Sequence, residues 1–542
     1  MAQTAGPEAR AVRAFEAARK AGPGELYAFL KTFPKGADLH MHLSGAVYAE
    51  TFIDEAAKQG LCVAPVARDM PPEPAEKDKA KVAVKPLAPV GQDAVGFVKP
   101  AEDGKCAVGS VPAAQALTDQ GLYDNLVDSF SMRAFVATEG IDGHDQFFAT
   151  FGRFSGLNDV AGAWLDEVAS RAAAQNEEYL EIMDTPTFSH AKAAGLKIGW
   201  PAGAEKNVTR EQLATLRDEL LANGLRDDVG ADIAQYKDEL AARNRIEGCD
   251  RDNSETVLQL NSVALNVEHH EPCMVTIHFL YQILRQNPPQ QVFAQTMLGF
   301  EVASADPEDV VGINFVQPED AYLSMRDYTL QMEMLDYLHS VYPKVKISLH
   351  AGELAPGMVP PEGMSFHIRQ AIDLGHASRI GHGVDVLYED RPGELLKQMA
   401  AQHVMVEINL TSNDGILGIK GDAHPLHAYM AAHVPWALST DDEGVSRIDL
   451  THEYVRGVEE QGLTYADLKR SARTALELAF LHGESLWAGP DDFTRRNSVC
   501  AGAITVKGAP AGACKAFLEA NEKAAAQWEL ERRLTEFEAA AQ

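Results

Sequence analysis

From residue 120 onward, short apolar runs alternate with long stretches of helical spacing. The runs are Tyr179–Met183, Val275–Phe279, Val310–Phe315, Val345–His350, Arg379–Gly381, Val404–Asn409 and Trp436–Thr440. Ala37–Leu43, partly alternating and ended by Ser44-Gly45, adds one more upstream. Repeated strand–helix alternation predicts a parallel sheet, and eight such units predict an α/β fold of the (β/α)₈ barrel type. Before the barrel, residues 8–33 read as two short helices broken at Gly22-Pro23-Gly24 and stopped by Pro34. After it, Phe517, Leu518, Ala524, Trp528, Leu530, Leu534 and Phe537 recur at roughly helical spacing and predict a capping helix. The expected organisation is a helical extension at 1–34, a catalytic barrel at 35–490 and a second helical extension at 491–542. Two insertions interrupt the barrel. Residues 63–115, rich in Pro, Lys, Asp and Ala, read as a partly disordered surface segment. Residues 184–262 are long for one connection and are expected to hold extra helices.

Composition narrows the class without changing this plan. The 542 residues are 46% apolar and 23% charged, an ordinary globular balance. No run of 18 apolar residues predicts a membrane span. With 48 basic and 79 acidic residues the net charge is −31, which argues against nucleic acid or an anionic membrane as the main partner. The six cysteines fall into three sequence-local pairs, Cys62/Cys106, Cys249/Cys273 and Cys500/Cys514, with no C-x-x-C. They read either as three disulfides of a periplasmic or secreted protein or as six core thiols of a cytoplasmic one. The first residues lack the basic and apolar regions of a signal peptide and suit a mature terminus with an added Met.

The chemistry sits at strand ends. His40-Met41-His42 closes the first strand, and positions two apart face the same side, so both imidazoles can reach one ion. Zinc takes neutral imidazole nitrogen and leaves a catalytic position open. The same spacing suits two hydrogen-bonded histidines, and roughly 0.6 such pairs arise by chance at this His content. His350-Ala351-Gly352-Glu353 offers a third ligand, a glycine turn and an acid or base; it equally suits a helix start. Gly381-His382-Gly383 marks a close approach or a turn. Thr440-Asp441-Asp442 sets two carboxylates side by side, which repel unless compensated, or else cap a helix. Four such accidents at the end of the barrel where active sites lie are a poor explanation of the set.

In this order, KGADLHMHLSGA, SLHAGE, RIGHGVDV, EINLTSND and STDDEG resemble the motif series of the adenosine/AMP deaminase family. The likeness is greatest to its growth-factor-related branch, and it spans roughly residues 34 to 490 outside the first insertion. The resemblance implies one zinc ion per chain held by His40, His42, His350 and Asp441. It implies Glu353 as the proton donor to purine N1, His382 as the histidine that orients and deprotonates the attacking water, and Asp442 as the N7 contact. Protonating N1 requires a carboxyl that is neutral when substrate binds, which predicts a raised pKa for Glu353. Ser44 stands where the family has a ribose-binding carboxylate. Gln317 stands where it has a glycine whose backbone meets N3, and Met183 where it has an arginine. Ser44, Gly352, Gln317 and Asp442 form the expected substrate-binding set. The implied reaction is hydrolytic deamination of adenosine or 2′-deoxyadenosine to inosine or 2′-deoxyinosine and ammonia. AMP, adenine and N6-substituted adenosine are alternative substrates, and a non-catalytic nucleoside-binding or signalling relative is the alternative of another class. Arg447 is the nearest candidate for a phosphate. Phe147 and Phe148 either line the pocket mouth or belong to the core.

Overall fold

The computed structural model describes residues 6–66, 94–138, 141–158, 160–204, 207–249, 272–501 and 510–541. Eight strands form one parallel sheet in the order β1 (Gly36–His42), β5 (Glu177–Asp184), β6 (Thr276–Leu284), β7 (Val310–Val316), β8 (Lys346–Ala351), β9 (Arg379–His382), β10 (Met405–Ile408) and β11 (Trp436–Leu438). Every neighbouring pair is parallel. The barrel closes at the seam between β11 and β1, where Met41 bridges Asp441. Asp441 N–H donates to His40 O at 2.8 Å and His42 N–H to Asp441 O at 3.3 Å. Thr440 locks the seam further by donating both its amide and its hydroxyl to Asp38 Oδ2, at 3.1 and 2.6 Å. The predicted (β/α)₈ architecture is thus the observed one.

The third barrel strand is longer than the apolar run Val275–Phe279 suggests, because it continues to Leu284. Tyr281 and Gln282 dilute the hydrophobic signal there, yet both find buried partners: Tyr281 donates to Asp232 at 2.9 Å, and Gln282 faces His42. The expected extra helices are present as Ser189–Ile198, Arg210–Ala222 and Leu225–Glu247; residues 205–206 and 250–262 of that connection lie outside the described residues. Thr209 starts the second of these with a reciprocal capping box to Gln212. The terminal helices are Pro7–Ala21 and Pro23–Lys31 at one end, Gly512–Ala520 and Glu522–Ala540 at the other.

The first insertion differs from its polar reading. Its outer parts form a three-stranded antiparallel sheet of β2 (Cys62–Val66), β3 (Ala94–Val98) and β4 (Val111–Pro112). Residues 67–93, which carry most of the Pro- and Lys-rich sequence, lie outside the described residues. Val95 and Phe97 are buried in a cluster with Phe52, Phe130, Phe147 and Phe154. Ile416 and Val445, from the short helices Leu410–Leu417 and Glu443–Ser446 that follow β10 and β11, join the same cluster, so this unit packs on the barrel mouth. Phe147 is core, and Phe148 packs at its edge against His144. All six cysteines pair: Cys62–Cys106, Cys249–Cys273 and Cys500–Cys514.

Candidate active site

The C-terminal ends of β1, β8, β9 and β11 bring the expected ligands to one point. His350 Nε2 lies 3.1 Å from both His40 Nε2 and His42 Nε2. Asp441 Oδ1 lies 3.6 Å from His40 Nε2 and 3.3 Å from His42 Nε2. His382 turns its Nε2 to the same centre, 3.9 Å from Asp441 Oδ2. His40, His350, His382 and Asp441 in fact hold their ligand atoms within 4.8 Å of one another, and His42 forms an overlapping group with Asp441 and Asp442.

The outward-facing edges of the imidazoles explain why this cluster suits a cation. His40 Nδ1 meets Glu407 Oε2 at 2.6 Å, His42 Nδ1 meets Gln282 Oε1 at 2.7 Å, and His350 Nδ1 meets Asn314 Oδ1 at 2.8 Å. Each partner is an acceptor, so each Nδ1 carries the proton and each Nε2 presents a lone pair. Three lone pairs and an unpartnered buried carboxylate oxygen, Asp441 Oδ1, then face one another. That arrangement is repulsive until a positive charge fills it. The spacing suits four ligands around a small divalent ion, whose ~2.0–2.1 Å bonds imply tetrahedral edges of ~3.3 Å.

The backbone at the site is strained where it has to turn. Gln317, His382 and Asp441 adopt φ of +81°, +68° and +65°. For residues with a Cβ, this left-handed region costs about 1–2 kcal/mol each. Two glycines make room instead. A Cβ on Gly381 would lie 2.4 Å from His40 Cε1, and one on Gly45 would lie 1.4 Å from Asp442 Oδ1. Small residues at these places let an imidazole and a carboxylate press against main chain.

Around the cluster stand the remaining expected residues. Glu353 is buried, its Oε1 3.6 Å from His382 Nδ1. Burial, reinforced by Asp441 and Glu319, pushes its carboxyl well above the usual range. Glu319 fixes the turn that carries it, accepting from Gly352 N–H at 3.1 Å and Glu353 N–H at 2.8 Å. His367 Nδ1 meets Glu319 at 2.5 Å, and this contact helps hold Glu319 low despite burial. Asp442, beside Gly45, is pushed well up by burial and by Asp441. Burial lowers His382 to about 3. Ser44 is half-buried in the turn Leu43–Ala46 beside Gly45. Gln317 is tied to the chain just after β6: its carbonyl accepts from Arg285 Nε at 3.0 Å and its side chain from Gln286 N–H at 2.9 Å. Met183 is buried with Leu280, Val316 and Phe480, in register with His42. Arg447 is engaged by Glu50, at 2.7 and 3.1 Å.

Sequence reading missed the residues that aim the ligands. Asn314 and Glu407 each sit as a lone polar letter in an apolar strand, a signal that an inward-facing partner is needed, and Gln282 shares its strand with other polar letters. Arg379 extends the set, bridging Glu407 at 2.7 Å and Glu181 at 2.6 Å inside the barrel.

Comparison with known proteins bears out the resemblance read from the motifs. Residues 253–486 match the family model described as adenosine deaminase. Adenosine deaminase of Shewanella loihica is 38% identical over 136 residues, 25% of this chain and 38% of that protein. That of Escherichia coli O157:H7 is 37% identical over 139 residues, 26% of this chain and 38% of the relative. The chain therefore aligns with under two-fifths of the length of these curated relatives. Among solved structures, the apo N6-methyl-AMP deaminase of Arabidopsis thaliana overlaps with TM-score 0.46 at 18% identity, covering 84% of this chain and 94% of that one. A zinc-bound amidohydrolase of Burkholderia ambifaria overlaps with TM-score 0.43 at 17% identity, covering 84% and 88%.

Proposed function

We propose that this chain, which carries the adenosine deaminase pattern over residues 253–486, is a zinc-dependent aminohydrolase acting on adenosine and 2′-deoxyadenosine. The observation that carries the reading is the convergence of His40, His42, His350 and Asp441 on one point, with Glu353, His382 and Asp442 around it. His40, His42, His350 and Asp441 would hold the zinc ion, which would supply the Lewis acidity that makes water nucleophilic at neutral pH. Glu353 carries a proton into the site and gives it to purine N1, which makes C6 electrophilic. His382 orients the attacking water. Purine N7 is a hydrogen-bond acceptor, so Asp442 must arrive protonated to hold it, in agreement with the upward shift its burial imposes. Water adds at C6; one of its protons restores the carboxyl of Glu353, which gave its own to N1, and the other leaves on the amino group as ammonia, so the inosine product keeps the N1–H.

Two further features refine the proposal. Arg447, the candidate phosphate partner read from the sequence, is already paired with Glu50, which favours a neutral nucleoside over AMP. Ser44 offers the sugar a hydroxyl rather than a charge. The three disulfides support a periplasmic or secreted protein, since such bonds persist in oxidising compartments. The test is an ultraviolet assay of the purified zinc-loaded enzyme on adenosine, 2′-deoxyadenosine, AMP, adenine and N6-methyladenosine. Loss of adenosine absorbance is expected, with AMP turned over more slowly. No absorbance change with any of the five would overturn the reading.

A further inference from the structure

His382 is held by a chain of side chains that ends on a backbone amide. Leu426 N–H, in the first turn of the helix Leu426–Ala431, donates to His424 Nδ1 at 3.2 Å. A backbone N–H can only donate, so His424 Nδ1 is an acceptor and its proton sits on Nε2. His424 Nε2 meets Asn413 Oδ1 at 3.1 Å. The Asn413 carbonyl oxygen therefore faces His424, and its NH₂ faces the other way. That NH₂ donates to His382 Nδ1 at 3.0 Å, and Asn409 Nδ2 approaches the same nitrogen at 3.4 Å. Glu353 Oε1, the only carboxylate oxygen paired with that edge among the described residues, is 3.6 Å away and outside hydrogen-bond range. Asn413 and His424 are buried, so no solvent competes for these bonds.

We infer that His424 and Asn413 are positioning residues that lock His382 in the tautomer with its proton on Nε2, the edge that faces the ligand cluster. The inference deepens the deaminase reading. It rests on that reading for its kinetic consequence, whereas the tautomer follows from the hydrogen bonds alone. His382 Nε2 is buried with no partner of its own and lies 3.9 Å from Asp441 Oδ2. In this tautomer it presents a donor to the centre and has no lone pair there. His382 then enters the reaction by holding the attacking oxygen through Nε2–H, and the edge that could accept a proton is committed to Asn413. The role read from the motifs, orienting and deprotonating water, narrows to orienting it.

The test is the ¹⁵N spectrum of the full chain labelled at histidine, recorded on metal-free enzyme, with the His382 resonances assigned through His382→Gln. The expected wild-type pattern is a lone-pair-bearing Nδ1 and a protonated Nε2. Asn413→Asp places an acceptor where the donor was, so it reverses the pattern. It should lower kcat on adenosine by about 10²–10⁴-fold, the range seen when a catalytic histidine is misoriented or wrongly protonated. KM and bound zinc, measured by metal analysis, should stay unchanged. His424→Phe keeps a ring but frees the Asn413 amide to turn, and should give mixed tautomers with an intermediate kcat. A protonated Nδ1 in the wild type overturns the inference whether or not any variant folds. So does a reversed tautomer with kcat within about two-fold of wild type. A wild type inactive on every purine but with the expected ¹⁵N pattern removes the deaminase reading and leaves the tautomer lock standing.

Discussion

In the proposed reaction Glu353 has to be protonated when substrate arrives, and the chain arranges this with burial and two neighbours. It buries the carboxyl, sets Asp441 nearby and uses Glu319 both to hold the turn and to repel a second negative charge. Glu353→Gln keeps the shape and removes the transferable proton. We expect kcat to fall by about 10²–10⁴-fold with bound zinc unchanged, read by steady-state kinetics and metal analysis; a near-normal rate would remove Glu353 from the acid role. Gln282→Ala leaves His42 Nδ1 without its 2.7 Å partner. A zinc affinity about 10–100-fold weaker is expected in a competition titration with a chromophoric chelator. The two cases mark what the sequence made legible. His40, His42, His350, Glu353, His382, Asp441 and Asp442 stand in motifs at strand ends, where type and position can be read together. Gln282, Asn314 and Glu407 act from other strands, and one chain in isolation does not say which polar letter of an apolar run faces which histidine.

Strands were more legible than the units between them. Seven of the barrel strands, β6 apart, lie within a few residues of apolar runs, because a strand buried on both faces needs little else. β6 was shortened by its own function, since Tyr281 and Gln282 are polar for the sake of buried partners. The first insertion misled more. Its composition is dominated by residues 67–93, while its packing is decided by a few residues such as Val95 and Phe97. The Cys62–Cys106 bond ties this small sheet across a separation of 44 residues. An intact mass of non-reduced, alkylated protein should show no free thiol, and six free thiols would end the oxidising-compartment proposal. Cys62→Ser with Cys106→Ser should destabilise the unit by about 2–4 kcal/mol, visible as earlier proteolysis of residues 62–112.

Charge and burial act together over the whole molecule. Burial lifts Asp232, Glu389 and Glu453 to about 7 and Glu178 and Glu239 to about 8. Their unfolded values are near 4, so the folded state holds more protons between about pH 4 and 8. Their contribution to stability is complete below the unfolded pKa and is lost as pH rises through 7–8. Self-repulsion at a net charge of −31 grows in the same direction. Calorimetry with chelator present in both buffers should therefore give a melting midpoint about 5 °C or more higher at pH 5 than at pH 8; an equal or inverted order would refute this. The seam between β11 and β1 has a consequence in time rather than in energy. It joins His40 and His42, made early on the ribosome, to Asp441, made some four hundred residues later. The first strand has to wait for the last, so a nascent chain ending before β11 has His40, His42 and His350 but lacks Asp441. On the proposed reading, the four-ligand site is complete only after the barrel ring has met itself.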